Sequence, residues 1–412
     1  MNNKIIIGLT GRFGAGCSAT AQLLEVGNQF KRNSLSTVLK DLAKEDSKFL
    51  KLPEKYKRNY LQNLGDELRN KNGQEYIAKI IIDKLREEND SRNIVIDGFK
   101  NPAEVCLFRE EFSNFYLFAI DAETEARRER TKEIYDKDLE CFRIDDVRDE
   151  GTDEGPFSGQ QVKVCMRIAD ILVNSDDQFV FEDGTKNNQA IEEYGQKING
   201  YLKLIEKPGS RTPSLDEMFM HIACSVSLRS CCLKRQVGAI IVKKGKSLNE
   251  GNYILSTGCN NVPYGEKSCI ICYRDEKKQD SIDKINFCSN CGQENISKNS
   301  TCSKCGEKLL NNYPGKLLDI CRAVHAEEEA ILQAAKLGIS ISGTTLYTST
   351  DPCLLCSKKI INSGISDIIY LESYPMVQAL EMLENCNVKR RKFEGVTSRV
   401  YNRLFLKDIA IN

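Results

Sequence analysis

The chain has 412 residues and balances 59 basic against 59 acidic side chains. That length predicts two or three domains, each able to bury a core. The zero net charge removes the electrostatic signature of a nucleic-acid binder, and no apolar run approaches the roughly 18 residues of a membrane span.

Alternating strands and helices are predicted from residue 1 to about 205. The strands are Lys4–Leu9, Asn93–Asp97, Phe115–Ile120 and Ile168–Asn174. The helices are Ala19–Leu24, Tyr56–Arg69, Gln74–Glu88 and Ala190–Leu204. Strands alternating with helices predict a parallel α/β sheet for this first domain, residues 1–205. The first strand runs into the glycine-rich stretch Gly8–Thr20 (GLTGRFGAGCSAT). It matches the phosphate-loop pattern G-x-x-x-x-G-K-[ST] at Gly11, Gly16 and Ser18, with Gly14 between, but Cys17 stands where lysine is required.

Such a loop holds phosphate through backbone amides and a helix N-terminus. The lysine adds charge that supports phosphoryl transfer, so its loss weakens transfer more than the cradle. Ser18 retains a hydroxyl for Mg2+, and Asp97 ends a strand in a Walker-B-like position. The simpler alternative is a plain strand-to-helix turn.

The Pro-, Gly- and Ser-rich stretch 206–214 is the expected linker, followed by a second domain over 215–412. A helix is predicted from Leu215, a strand at Val237–Lys243 and a cysteine-rich insertion over about 265–319. A helix opening at His325, a strand at Thr345–Ser349, a helix from Cys353 and a strand at Asp367–Leu371 follow. There are no internal repeats.

Eighteen cysteines are many for a chain whose N-terminus lacks the basic-then-apolar pattern of a secretion signal. A cytoplasmic protein with no membrane partner is expected, and metal ligation is favoured over a disulfide framework. Histidine occurs only as His221 and His325. His325-Ala-Glu327 is followed by Pro352-Cys353-Leu-Leu-Cys356, the H-x-E…P-C-x-x-C signature of zinc nucleobase deaminases. His325, Cys353 and Cys356 supply three ligands and leave one position open for water. Two cysteines at a helix start face one metal, where the helix dipole favours their thiolates. Glu327 is placed as the catalytic proton carrier and is not a ligand.

Two further pairs, Cys288-Ser-Asn-Cys291 and Cys302-Ser-Lys-Cys305, are each followed by glycine. Four thiolates close a tetrahedral structural zinc site of the ribbon kind; a redox pair is the competing reading. Cys269, Cys272 and Cys321 are left open between a further metal and apolar packing. Cys224, Cys231 and Cys232 read as core or surface thiols.

Over most of Leu215–Leu371 the sequence resembles the deoxycytidylate deaminase family. The resemblance lies in Cys231–Ile241, Gly258-Cys-Asn-Asn-Val-Pro263, Thr345–Cys353 and Ile360–Ile365, with Cys259 and Asn261 departing from the family's usual Tyr and Gly. It implies that Asn260 contacts substrate, that deoxycytidine nucleotides are the substrates, and that the chain forms a homo-oligomer, often a hexamer in related proteins.

The first domain loosely resembles P-loop nucleoside monophosphate and dephospho-coenzyme A kinases. Ile96–Pro102, Ala126-Arg-Arg-Glu-Arg130 and Ala169–Asn174 carry that resemblance, with Arg127, Arg128 and Arg130 as lid arginines. Read without it, those arginines are a solvated helix face.

A P-loop domain joined to a deaminase domain looks like the bacterial anti-phage dCTP deaminases. The expected fold is therefore a P-loop parallel-sheet domain followed by a cytidine-deaminase-like α/β/α domain with a zinc-ribbon insertion. The expected function is hydrolytic conversion of dCTP or dCMP to the deoxyuridine nucleotide and ammonia. The resemblance also implies depletion of dCTP in antiviral defence, a regulatory nucleotide at the first domain, and a regulatory RNA or phage-derived trigger. Competing readings are a deaminase acting on tRNA or single-stranded DNA, and a nucleotide sensor or kinase carrying a zinc module. The zero net charge weighs against the first, and Cys17 against a kinase.

Overall fold

The computed structural model describes residues 4–26, 29–88, 90–135, 139–151, 159–176, 179, 187–245, 251–269, 285–287, 294–296, 302–305, 321–374 and 376–409. In chain order the strands in its first half are β1 (Ile6–Thr10), β2 (Phe30–Ser34), β3 (Asn93–Phe99), β4 (Phe115–Asp121) and β5 (Ile171–Asn174). Then come β6 (Gly238–Lys243), β7 (Tyr253–Cys259), β8 (Ile285–Phe287), β9 (Glu294–Ile296), β10 (Thr345–Thr350), β11 (Asp367–Glu372), β12 (Lys389–Lys392) and β13 (Gly395–Val396). The chain divides into two compact units, Met1–Glu217 with Glu394–Asn412, and Met218–Phe393. Among the described residues no helix is long and apolar enough to cross a membrane.

The first unit is built on the sheet β13-β5-β4-β1-β3-β2. Its five strands β1 to β5 are mutually parallel, and only β13 runs antiparallel, against β5. All of β1 and most of β4 are buried, as strands covered by helices on both faces must be. That is why they read as unbroken apolar runs. β2 is missed by the sequence reading because its residues, Phe-Lys-Arg-Asn-Ser, carry no such run. The strand expected over 168–174 starts only at Ile171, because a helix occupies Val162–Arg167 and Ile168 caps it.

The C-terminal residues are placed differently from the expected 215–412 domain. β13 extends the first sheet, and the helix Ser398–Ile409 buries Val400, Tyr401 and Leu404 in the first unit's core. Glu217, 2% exposed, ties this return together. It accepts hydrogen bonds from Arg211, the Ser214 and Val396 amides and the Tyr401 hydroxyl.

The second unit carries the sheet β12-β11-β10-β6-β7. β10 pairs parallel with β11 and β11 with β12, whereas β6 is antiparallel to both β10 and β7. Ala326, Ala330 and Ala334, one face of the helix Ala326–Lys336, pack into this unit's core with Cys353, Cys356 and Ile360. Small residues on that face let helix and sheet approach closely, and the approach is tightest at Gly258 in β7. A Cβ there would lie 2.2 Å from the Ala326 carbonyl oxygen and 2.4 Å from the Ala330 nitrogen, both backbone atoms. Gly258→Ala is therefore expected to lower the unfolding free energy by about 2 kcal/mol or more, measured by denaturant unfolding of the whole chain.

Candidate active site

His325 and Cys353 occupy equivalent places, each the N-cap of a helix: His325 before Ala326–Lys336, Cys353 before Leu354–Asn362. Cys356 lies within the first turn of the second helix, as the C-x-x-C spacing demands. The His325 Nδ1 atom is 3.3 Å from the Cys356 sulfur and 3.4 Å from the Cys353 sulfur. Among the described residues these three form the group able to hold a metal ion, with all ligand atoms within 4.8 Å of one another. Zinc bonds of about 2.0–2.1 Å to nitrogen and about 2.3 Å to sulfur, opened to a tetrahedral angle, put N and S about 3.5 Å apart. The donor set and its spacing fit zinc.

The two helix N-termini direct their positive ends at this point, an environment that favours thiolates. The Cys353 thiol is lowered to about 4, first by its hydrogen bond with Cys356, while Cys356 is pushed up by that bond and by burial. Glu327, in the first helical turn, is 4% exposed, and burial pushes its carboxyl up. Its two oxygens reach the Cys356 sulfur at 3.4 Å and the Thr348 hydroxyl at 3.5 Å. A buried carboxyl whose affinity for a proton is raised, placed beside the ligand cluster, is suited to carrying one.

Residues outside the motif hold it in shape. Asp351, 1% exposed at the side chain, receives a two-pronged ion pair from Arg390 of β12 at 2.9 and 2.6 Å, and its amide donates to Glu372 of β11. This fixes the Thr350–Cys353 turn that delivers the first sulfur. Arg390 carries no local signal in the sequence, since only the pairing of β12 with β11 brings it across.

Asn260 lies at the end of β7, buried. Its side chain accepts from the Val237 amide at 2.7 Å and donates to the Arg235 carbonyl at 2.8 Å, so it clamps the segment entering β6. Its neighbour Asn261 pairs with Val324, next to His325. Cys269 is raised by burial and by the nearby Cys231, Cys321 and Cys232 thiols, which share its neighbourhood. In the insertion, the Lys304 amide donates to the Cys302 sulfur at 3.4 Å. Strands β8 and β9 pair antiparallel on either side, in sequence, of residues 288–293. Cys272, Cys288 and Cys291 lie outside the described residues.

In the first unit, the glycine-rich loop joins β1 to the helix Cys17–Val26. Ser18 donates to Asp97 at 3.2 Å, and Arg32 pairs with the same carboxylate at 2.6 Å. Gly16 has φ +104°, a conformation that favours glycine, and a Cβ there would come within 3.0 Å of the Ser175 hydroxyl. The Cys17 thiol is pushed up to about 12 by burial and packs against the core. The arginines do not form a uniform solvated face. Arg127 is fully buried, pairs with Asp146 and donates to the Phe13 carbonyl; Arg130 donates to the Gly14 carbonyl. Only Arg128 is a surface group, paired with Glu125.

Residues 213–372 match the family described as the cytidine and deoxycytidylate deaminase zinc-binding region. The histidine and two cysteines fall inside that span, so the second unit is of the class of zinc-binding cytidine deaminase domains. The deoxycytidylate deaminase of Enterobacteria phage T4 is 33% identical over 160 residues, which cover 38% of this chain and 76% of the phage protein. That of Schizosaccharomyces pombe is 27% identical over 304 residues, 73% of this chain and 76% of the yeast protein. The chain belongs to the deoxycytidylate deaminase family. The yeast match is longer than everything after residue 212, so it extends into the first half of the chain. The solved structure of dCMP deaminase from the cyanophage S-TIM5, in complex with dCMP and dUMP, is 24% identical with a TM-score of 0.29, covering 44% of this chain and 99% of that one.

Replacing Arg390 by Gln leaves Asp351 buried without its counter-charge. The expected cost is about 3 kcal/mol in stability, together with less than one zinc per chain retained at the His325 site after dialysis, measured by elemental analysis.

Proposed function

We propose that the protein is a hydrolytic deaminase of deoxycytidine nucleotides, taking dCMP or dCTP to the deoxyuridine nucleotide and ammonia. The observation that carries this reading is the His325, Cys353 and Cys356 cluster with the Glu327 carboxyl beside it. The yeast and phage relatives, named deoxycytidylate deaminases, support dCMP as substrate.

His325 and the two cysteine sulfurs would hold zinc, which when bound would supply the acidity that makes water a nucleophile near neutral pH. Glu327 takes one proton from the water and delivers it to N3 of the cytosine ring as C4 is attacked. It then takes the second proton, from the new C4 hydroxyl, and delivers it to the departing amine, so that C4=O forms as ammonia leaves. Thr348 Oγ1, which donates to the Thr350 carbonyl at 2.9 Å, lies 3.5 Å from the Glu327 carboxyl and packs beside it. Burial keeps bulk water from competing for the same proton. Glu327→Ala is expected to retain zinc while losing roughly 10²–10⁴-fold in turnover, read as ammonia release from dCMP; near-normal turnover overturns the role. Assays of dCMP, dCTP, CMP and a cytosine oligonucleotide in parallel test the substrate class, and ammonia from the oligonucleotide alone overturns it.

In this reading the first unit is a P-loop domain that binds a regulatory nucleotide. Support comes from the loop joining β1 to a helix in a parallel sheet and from Ser18 beside Asp97, a pair suited to Mg2+. Replacing Gly16 by Val is expected to abolish nucleotide binding, seen by calorimetry, and to remove any nucleotide effect on dCMP turnover. The amide-to-sulfur bond at Cys302 supports a structural zinc held with Cys288, Cys291 and Cys305. Depletion of dCTP in anti-phage defence, assembly into a homo-oligomer, a cytoplasmic setting and release by an RNA or phage-derived trigger complete the reading. The defence role and the trigger rest on the resemblance to anti-phage dCTP deaminases, the homo-oligomer on the related deaminases, and the cytoplasmic setting on the expectation from the sequence.

A further inference from the structure

The loop without its lysine has a lysine beside it. Lys100 directly follows β3, and its ammonium donates to the Gly11 carbonyl at 3.2 Å, at the start of the loop. It also donates to Asp149 at 2.6 Å. Lysine has three N–H donors, and these two contacts leave one unused on a side chain that is 20% exposed.

The position of this ammonium is built, not incidental. The Lys100 amide donates to Glu104 at 3.1 Å, and its carbonyl accepts from the Gln161 amide at 2.7 Å. Asp149 is fully buried and also faces Arg58 at 2.9 Å, while Arg58 lies 3.8 Å over the ring of Phe13 in the loop. Lys100 is close enough to Cys17 for its charge to favour the thiolate, against the larger opposing effect of burial.

The rest of the loop is oriented to receive an anion. Its carbonyls at Gly11, Phe13, Gly14 and Ala15 are taken by Lys100, Arg127, Arg130 and Ser175. Among the described residues, the amides of Gly14, Gly16 and Ser18 donate to no backbone or side-chain acceptor. Carbonyls turned onto protein cations and amides left over make a concavity of donors.

We propose that Lys100 supplies, from the end of β3, the phosphate-binding cation absent at position 17, so that the loop takes a nucleoside triphosphate through its amides and the Lys100 ammonium. This rests on the nucleotide-binding reading of the loop given above. Tethered to Asp149 and to the Gly11 carbonyl, the ammonium holds a phosphate in place and is not free to follow one in transfer.

The test is calorimetric titration of the full chain, in Mg2+, with ATP, GTP and inorganic tripolyphosphate. Lys100→Met is expected to weaken binding about ten- to a hundredfold. Adding Cys17→Lys to that variant, which returns the charge from the other side, is expected to recover affinity to within a few-fold of the parent. Because Lys100→Met leaves Asp149 buried and less compensated, Lys100→Met with Asp149→Asn is measured beside it, with circular dichroism to confirm folding. Unchanged affinity in a folded variant lacking Lys100 overturns the assignment, as does a loss that Cys17→Lys fails to recover. If the parent protein binds none of the three probes, the loop reading itself fails and the assignment falls with it.

Discussion

Two helices have to begin at the same point in space for His325, Cys353 and Cys356 to share one ion. Each helix presents its N-cap there, and the second adds a residue one turn in. The shared positive field of the two N-termini makes sulfur anions tolerable in a buried place. The same field and burial act on Glu327, which sits in the first turn and inside the core face of its helix. Much of the second unit can be understood as support for this convergence. Alanines bring the helix Ala326–Lys336 down onto the sheet, Gly258 lets the strand beneath come close, and the Asp351–Arg390 pair fixes the turn that presents Cys353.

The glycine-rich loop of the first unit follows a related logic with opposite polarity. There the ordering groups are cations, and what they order is backbone. Arg127 and Arg130, which a helical wheel would put in solvent, reach the loop carbonyls, and Lys100 reaches the first of them from another strand. Such a loop is held open by the protein itself. Burying charged side chains for this purpose is costly unless each is paired, and Arg127 with Asp146 and Lys100 with Asp149 meet that condition.

Sequence reading performs well where a residue's partners are near it in the chain and poorly where they are not. The C-x-x-C spacing identifies two ligands because about one helical turn brings them together locally, and H-x-E identifies a ligand at a helix N-cap with a carboxyl in the turn that follows. Buried parallel strands such as β1 and β4 are legible because they are uniformly apolar. By contrast β2 and β12, with Lys-Arg-Asn and Lys-Arg-Arg-Lys, look like surface, and only pairing with β3 and β11 makes them strands. Asn260 is singled out by resemblance alone, and its side-chain bonds to the backbone at Arg235 and Val237 are contacts no motif encodes.

The amino-acid sequence by itself determined the candidate site: a histidine, two cysteines and a glutamate whose order and spacing suit one zinc ion and one proton carrier. It also determined that a parallel α/β unit precedes them, because alternating apolar and amphipathic runs have few other ways to bury themselves. The tertiary structure decided what holds those groups in place. It returned residues after Phe393 to the first sheet through Glu217, set Arg390 against Asp351, and carried Lys100 to the loop that Cys17 leaves uncharged. Each of these contacts joins residues tens to hundreds of positions apart, and only the pairing of strands makes such distant side chains neighbours.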